Sequence, residues 1–299
     1  MLTFEAPSDM TLLDLLALSS PDCSRTTLRY WIETGRVTIE NQEIKRAATL
    51  IKKGQKIVVG KKRKFIKRDA EVLFEDDHII VIDKPAGLLS VATDSGEQLS
   101  LHKILKRRIT NNDRIYPVHR LDRDTSGVLV FAYTQAAREK LKGHFARHDI
   151  DREYAAVVHG KVDPSQGTWQ SYLVEDANFY VKTARSSTEG RLAITHFSTL
   201  STKREFTLLH LKLETGKKNQ IRVHSAEAGH PVAGDKKYGL KHDQVERLCL
   251  HAFRLGFLHP ITQKRMVFTS AIPELFFKLG GTPKNKPETI RQKKYDQHR

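Results

Sequence analysis

The sequence predicts an α+β protein in which a small α/β domain precedes a main domain with a mixed, largely antiparallel sheet. In the body of the chain, short β-type runs follow one another and helices do not alternate strictly with them, which favours a mixed sheet over a doubly wound one. The 299 residues are 39% hydrophobic, enough for a sizeable core. We expect a module at residues 1–62, a basic linker at 63–68, a main domain at 69–280 and a basic, disordered tail at 281–299.

The N-terminal module is predicted to hold two short helices and two strands. Ser24 is a suitable N-cap for the second helix, and Gly35 ends it. Strands are predicted at 37–39 and 54–59. The following stretch, 61–68, has six basic residues in eight and predicts an extended, self-repelling linker. The apolar positions expected to line the core of the module are Leu12, Leu13, Leu15, Leu16, Leu28, Trp31 and Ile32.

Hydrophobic runs predict the elements of the main domain. A helix at 136–145 has one apolar face, and the turn Lys84-Pro85-Ala86-Gly87 follows a strand. The alternation of Ile221, Arg222 and Val223 predicts a further strand. The other predicted strands are 72–74, 78–82, 154–158 and 207–213.

Composition restricts the partners. The chain has 51 Lys and Arg against 35 Asp and Glu, a formal net charge of +16, which favours a polyanion such as RNA. The two cysteines are far apart and suit a reducing cytoplasm rather than a disulfide framework. His144 and His148 have the spacing of metal ligands, but no third ligand has a matching context, so we predict no metal. No apolar run has the roughly 20 residues of a membrane helix, so no membrane contact is expected.

The most informative stretch runs from His119 to Gly127, with the sequence His-Arg-Leu-Asp-Arg-Asp-Thr-Ser-Gly, and an apolar run follows it. This order is typical of a turn that enters a strand, and it puts carboxylates at a strand end, where they can reach a cleft. Asp124 precedes Thr-Ser-Gly and is predicted to be structural. Asp122 lies before the turn and is the better candidate for chemistry, although capping backbone amides is the common role of such an aspartate.

The stretch resembles the active-site signature of the RluA-type RNA pseudouridine synthases. Four further segments resemble family segments in family order: Asp83–Gly87, Arg152–Gly160, Leu213–Gly239 and Leu250–Leu255. In the third of these, the family most often has Thr-Gly-Arg-x-His-Gln-Ile/Leu-Arg-Val-His. Here Lys217 and Asn219 replace the usual Arg and His, which leaves the roles of these two positions open.

The resemblance implies the roles of the site residues. It makes Asp122 the catalytic group, Arg222 its partner, Tyr154 the side chain that packs against the uracil, and Arg120 the residue that fills the gap left by the flipped nucleotide. Burial raises the pKa of a carboxyl and a nearby arginine lowers it, which is a physical reason for such a pairing. Because the isomerisation has no redox step and no group donor, no cofactor is expected.

The N-terminal module resembles the small RNA-binding module of a small-subunit ribosomal protein, which binds RNA through its two helices. Its predicted phosphate contacts are Arg25, Arg29, Arg36, Lys45 and Arg46. Within the family, such a module is most often seen in enzymes that act on large-subunit ribosomal RNA, and transfer RNA is the alternative target. A monomer in the cytoplasm is expected.

Two other classes of function remain. The first is a non-catalytic RNA-binding protein on the same fold; the joint presence of Asp122, Tyr154 and Arg222 counts against it. The second is a hydrolase with an Asp nucleophile, which would need a second carboxylate. Asp124 is the candidate for that role, but its Thr-Ser-Gly context favours a turn.

Overall fold

The computed structural model of the chain describes residues 2–21, 23–33, 36–40, 42–44, 46–60, 64–66, 70–92, 99–108 and 114–283. The chain divides into two compact units, Met1–Phe65 and Ile66–Arg299. The division falls inside the predicted linker, in which a short strand covers 64–66 while 61–63 and 67–69 lie outside the described residues. The tail from residue 284 onward also lies outside them.

The first unit has two helices and two small antiparallel sheets. Its elements are β1 (Leu2–Glu5), β2 (Met10–Thr11), α1 (Leu12–Ser19), α2 (Arg25–Glu33), β3 (Val37–Ile39), β4 (Gln42–Glu43), β5 (Leu50–Ile51) and β6 (Lys56–Val59). One sheet has the order β1-β6-β3-β4, and β2 pairs with β5. Thr11 caps α1, and the Ser24 hydroxyl accepts a hydrogen bond from the Thr27 amide at 3.2 Å, which confirms the predicted start of α2. Gly35 lies outside the described residues.

The larger unit is built on one extended sheet. Strand β7 (Lys64–Ile66) spans the boundary between the two units. The strands that lie wholly in the larger unit are β8 (Ala70–Glu75), β9 (Ile79–Lys84), β10 (Tyr116–Pro117), β11 (Ser126–Ala132), β12 (Asp151–His159), β13 (Gln166–Glu175), β14 (Val181–Thr183), β15 (Arg191–Lys203), β16 (Phe206–Leu213), β17 (Leu250–Leu258) and β18 (Arg265–Thr269). Its helices are α3 (Leu101–Arg108), α4 (Gln135–Ala146), α5 (Gln220–Glu227) and α6 (Glu274–Gly280). The predicted α+β class is confirmed. No helix of the described part of the chain is both long and apolar enough to cross a membrane.

The sheet runs in the order β14-β13-β15-β16-β12-β17-β11-β9-β8, with β10 on β11 and β18 on β17. Its described pairings are antiparallel except that of β11 with β17, where Ser126 and Gly127 lie opposite His251 and Ala252. Gly127 has a φ of 119°, and a Cβ there would lie 2.1 Å from the Ala252 carbonyl oxygen. Only glycine allows this close approach, which joins the two strands next to the Asp122 loop.

Both faces of the central strands are buried. In β9 and β11, alternate residues enter two apolar clusters, one with Ile82 and Leu129 and the other with Val81 and Val128. Helices α3 and α6 contribute to the first cluster, and α4 to the second. Burial on both faces explains why the apolar run after Gly127 is continuous rather than alternating.

The predicted strand around Arg222 is wrong, because these residues lie in helix α5. The apparent alternation arises because Ile221 and Val223 are buried in two different apolar clusters on separate sides of the helix. Asn219, with a φ of 55°, begins the helix after the loop that follows β16. A three-residue pattern cannot distinguish a strand from a helix that is buried on two sides.

Candidate active site

Asp122 lies in the loop between β10 and β11, and its neighbours in sequence are tightly held. The Ser90 hydroxyl donates to the Leu121 carbonyl at 2.7 Å and accepts from the Leu121 amide at 3.1 Å. On the other side, the Lys84 ammonium donates to the Arg123 carbonyl at 3.0 Å. The Asp122 carbonyl closes the turn by accepting from the Thr125 amide at 3.2 Å. The backbone on both sides of Asp122 is therefore fixed by polar contacts.

Lys84 is fully buried at the end of β9, and its ammonium has three acceptors. Besides the Arg123 carbonyl, Nζ donates to the carbonyls of Pro85 and Leu88 at 2.9 and 2.8 Å. Burial lowers the pKa of Lys84 to about 7, and the charges of Asp122 and Asp124 oppose this shift. Only the protonated amine has three N–H groups for three carbonyls.

Arg222 joins Asp122 to a second, buried carboxylate. Its Nη1 lies 3.3 Å from Asp122 Oδ2, which is long for a charge-assisted bond. Its Nε and Nη2 donate to the two oxygens of Asp235, both at 2.7 Å, in a bidentate pair. The Asp235 side chain is 0% exposed, whereas that of Asp122 is 26% exposed. Asp235 therefore fixes the guanidinium, and Asp122 is oriented by it while staying accessible.

Two further side chains complete the support of Arg222. Nη1 donates to Asn219 Oδ1 at 3.1 Å, and Asn219 Nδ2 donates to the Tyr238 hydroxyl at 3.1 Å. The guanidinium carbon lies 5.2 Å from the centre of the Tyr238 ring. Asn219, which replaces the usual histidine of the family signature, thus supports Arg222 in this chain.

Arg222 and Asp235 keep each other ionised. Burial by itself would lower the pKa of Arg222, but the hydrogen bonds and charge of Asp235, with the charge of Asp122, raise it well above its usual range. Burial would raise the pKa of Asp235, but Arg222 and the amides of Tyr238 and Lys237 hold it below its usual value. Both groups are therefore ionised at neutral pH.

Tyr154 lies on β12 where the register with β17 shifts between Glu153 and Tyr154. A bulge of this kind re-aims the side chain that follows it, and bulges often occur next to active sites. Tyr154 is 8% exposed, and burial raises the pKa of its phenol to about 12; Arg152 opposes the shift and Asp122 adds to it. The side chain is a neutral aromatic surface beside Asp122.

These groups line one cleft with a volume of about 60 Å³. The cleft includes Arg120, Asp122, Tyr154 and Arg222, so the structure brings together all four residues predicted for the active site. Lys217 also lines it. Arg120 is exposed, unlike the other three. Chemically, the cleft offers the accessible carboxylate of Asp122 and the fixed guanidinium of Arg222 beside it. The aromatic ring of Tyr154 and the exposed cationic side chain of Arg120 also line it.

Sequence reasoning missed the residues that hold the site. Ser90, Lys84, Asp235 and Tyr238 support the cleft but were assigned no role. The signal available for Lys84 was its place at the end of a strand that begins with four buried apolar residues, Ile79–Ile82. For Asp235, the signal was an acidic residue in the same signature as Arg222.

The predicted RNA contacts of the N-terminal unit differ in their surroundings. Arg29 and Arg46 are exposed, and Arg25 pairs with Asp14 on the surface. Arg36 is half-buried, where it donates to the Gly60 carbonyl at 3.1 and 3.3 Å and its guanidinium carbon lies 4.4 Å from the Trp31 ring centre. Lys45 lies outside the described residues. The role of these side chains in RNA binding stays a prediction.

No group of three or more metal-ligating side chains converges within the described ranges. His144 is buried on α4, whereas His148 follows the end of the helix with a φ of 62° and is exposed. The two histidines thus have different surroundings and do not share a helical face.

Comparison with known proteins agrees with the geometry. Residues 78–227 match the family model of RNA pseudouridylate synthases. The uncharacterized RNA pseudouridine synthase YhcT of Bacillus subtilis is 30% identical over 84% of this chain and 86% of its own. Ribosomal large subunit pseudouridine synthase D of Pseudomonas aeruginosa is 33% identical over 86% of each chain. The structure of human RNA pseudouridylate synthase domain containing 4 shares the fold, with a TM-score of 0.57, 24% identity and coverage of 69% of this chain and 89% of that one.

The fold and the matches define an RNA-modifying isomerase. The chain belongs to the RNA pseudouridine synthase family and to its RluA type, as its motifs predict.

Proposed function

We propose that this protein converts uridine to pseudouridine in large-subunit ribosomal RNA, with Asp122 as the catalytic group. The observation that carries the assignment of Asp122 is its contact with Arg222, which Asp235 holds in a bidentate pair. The choice of RNA is supported by relatives named as large ribosomal subunit pseudouridine synthases, at 33% and 35% identity. The small number of cysteines suits the cytoplasm, where we propose that it acts.

The reaction is an internal rearrangement. The bond between ribose C1′ and uracil N1 breaks, a bond from C1′ to C5 forms, C5 loses a proton and N1 gains one, so no co-reactant is consumed. Asp122 assists either by attack on C1′ or by removal of a ribose proton. Tyr154 holds the face of the detached base, and Arg120, at the rim, occupies the space that the flipped nucleotide leaves. The N-terminal module binds RNA phosphates.

The hydrolase alternative needs a second available carboxylate. Asp235 lies close to the site but is fully committed, because its oxygens accept from Arg222 and from the amides of Lys237 and Tyr238. Asp124 accepts from its neighbour Arg123 at 3.3 Å on the surface. Neither is placed to serve as a second catalytic acid.

The test is to incubate the full chain with deproteinised large-subunit ribosomal RNA and, separately, with transfer RNA, and to map pseudouridines chemically. We expect new pseudouridine at specific positions in the ribosomal RNA and none with Asp122→Asn. Modification of transfer RNA alone would show that transfer RNA, and not ribosomal RNA, is the substrate. Release of free uracil would indicate hydrolysis, and binding without either product would indicate a non-catalytic protein.

A further inference from the structure

An exposed phenylalanine lies at the tip of the loop between β13 and β14. Phe179 is 70% exposed, so its ring adds little to any core. Its backbone is left-handed, with a φ of 59°. This conformation costs a bulky residue on the order of 1–3 kcal/mol, and such strain is found where the surrounding structure imposes it, often at functional positions. The chain thus holds an aromatic ring in solvent at a cost to its own stability.

Hydrogen bonds close the backbone of the loop that carries the ring. Asp176 Oδ1 accepts from the amides of Asn178 and Tyr180 at 3.0 and 2.9 Å. The Asp176 amide donates to the Tyr180 carbonyl at 2.9 Å, and the Phe179 amide donates to the Asp176 carbonyl at 3.0 Å. Because these bonds close the loop on itself, they hold the backbone from which the ring extends.

Two lysines flank the ring. Lys218 Nζ lies 5.3 Å from the centre of the Phe179 ring and also pairs with the Glu175 carboxylate. Lys237 Nζ donates to the Phe179 carbonyl at 2.7 Å and lies 5.2 Å from the Tyr180 ring centre. An exposed aromatic face with cations beside it is the arrangement by which proteins bind single-stranded nucleic acid, since the base stacks on the ring and the cations attract the phosphates.

The ring is also linked to the active cleft through Lys218 and Tyr180. Lys218 lies between Lys217 and Asn219, both of which line the cleft. The Tyr180 ring centre is 4.7 Å from that of Tyr238, the residue that supports Asn219 and Arg222. A nucleotide stacked on the Phe179 ring would therefore lie near the target nucleotide along the RNA strand.

We propose that Phe179, with Lys218 and Lys237, is a stacking platform for an unpaired base of the substrate RNA near the target uridine. The proposal rests on the proposed function, in which the substrate is RNA. It adds a second point of contact outside the cleft, which holds the strand while Asp122 acts. Because every base has a stacking face, the platform orients the strand with little preference for sequence.

The first experiment measures steady-state kinetics on large-subunit ribosomal RNA for Phe179→Leu and Phe179→Trp in the full chain. Ile261→Ala, at another exposed apolar position, is the control. We expect KM for Phe179→Leu to rise about 5- to 150-fold, equivalent to about 1–3 kcal/mol for one lost stack. Phe179→Trp should keep a KM close to wild type, because the larger ring also stacks. Equal KM values for wild type, Phe179→Leu and Ile261→Ala would overturn the proposal.

A second experiment needs no catalysis and separates this proposal from the proposed function. The probe is a single-stranded oligouridylate, and the signal is the fluorescence that Phe179→Trp adds to that of the wild type. We expect the added emission to be quenched on RNA binding, whereas Ile261→Trp should show no such change. RNA binding without quenching would overturn the platform even if the enzyme is active. Quenching by RNA in a protein that isomerises no uridine would instead contradict the proposed function alone.

Phe179→Gly tests whether the strain is held for function. Glycine adopts a positive φ without cost, so the melting temperature should stay equal to that of wild type or rise, while KM rises as in Phe179→Leu. RNA binding by Phe179→Gly equal to that of wild type would overturn the platform. A melting temperature well below that of wild type would show that the ring serves the fold instead.

Discussion

The basic side chains of the active cleft and those of the N-terminal unit differ in what surrounds them. Arg222 and Lys84 are held by acceptors that the protein itself supplies: Asp235 and Asn219 for the first, and backbone carbonyls for the second. Arg29 and Arg46 are exposed on the other unit. In the sequence, the buried and the exposed basic residues are equivalent positive charges. Only their burial in the structure distinguishes them.

This difference predicts different consequences of mutation. Removing one partner of a buried ion pair leaves an uncompensated charge and costs about 3–5 kcal/mol, whereas an exposed pair contributes about 0–1 kcal/mol. Charges in the cleft should therefore determine geometry and rate. Those of the N-terminal unit should affect RNA affinity and its dependence on salt.

The largest effect is expected at Asp122, the carboxylate that Arg222 and Asp235 orient. Asp122→Asn should reduce isomerisation below detection while leaving the melting temperature and RNA binding nearly unchanged, because the amide keeps the shape but cannot act as nucleophile or base. Activity is measured by pseudouridine mapping after extended incubation. Asp124→Asn is the matched control and should retain most of the rate. A rate for Asp122→Asn within about tenfold of wild type, about 1.4 kcal/mol in the barrier, would exclude it as the catalytic group.

The next largest effect is expected for Arg222→Lys. Lysine keeps the charge but has no planar fork, so it cannot bind both oxygens of Asp235 and also reach Asp122. A displacement of about 1 Å at a reacting group can cost about 10²-fold, and we expect a fall in kcat of that order. Arg265→Lys, at an exposed pair with Asp151, is the control and should leave kcat unchanged. Equal kcat for both variants would show that Arg222 does not orient Asp122.

Lys84→Met should give a smaller loss with a characteristic pH dependence. Burial lowers the pKa of Lys84 to about 7, so the ammonium supplies three N–H groups below that pH and the neutral amine only two above it. In the wild type, kcat should therefore decrease as pH rises through about 7, because one of the three carbonyls around the Asp122 loop loses its donor. Lys84→Met removes the donor of all three carbonyls, and we expect kcat at pH 6 to fall by about tenfold, equivalent to about 1.4 kcal/mol in the barrier.

The measurement is kcat between pH 5.5 and 9 for wild type, Lys84→Met and the exposed control Lys161→Met. The Lys84→Met profile should lack the decrease near pH 7 and stay below the wild-type profile at high pH, because the neutral amine still supplies two N–H groups and methionine supplies none. Parallel profiles for all three proteins would show that Lys84 does not support the Asp122 loop.

Much of this molecule could be predicted from local sequence. The α+β class follows from the order of the runs, and the strands around Val81, Val157 and Leu209 were found at nearly their observed positions. Residues that carry the chemistry were found because the motifs are short and specific. Asp122 and Arg222 are 100 residues apart in sequence yet were paired through the family signatures.

What local sequence could not provide are the contacts made across the fold. The pairing of Arg222 with Asp235 depends on how the chain that follows α5 returns to the helix. The sequence pattern of α5 itself predicts a strand. The contact of Lys84 with the Arg123 carbonyl joins residues far apart in the sequence and forms only in the fold. Phenylalanine is a residue type common in protein cores, and nothing in the sequence around Phe179 predicts that its side chain is exposed.

The smallest effects should come from the N-terminal unit, and they separate phosphate contacts from structural charges. Arg29→Ala and Arg46→Ala should each reduce the slope of log K against log salt by about 0.7, because each lost phosphate contact to a single strand releases one fewer counterion. Arg36→Ala is the informative comparison, since its guanidinium contacts the Gly60 carbonyl and the Trp31 ring. It should lower stability by about 1 kcal/mol, the usual contribution of a lost hydrogen bond, and change the slope less. The experiment measures RNA binding across a salt series, with thermal melts of the same variants. Slopes identical to wild type for Arg29→Ala and Arg46→Ala would mean that this face does not contact RNA phosphates and that its charge only solvates the unit.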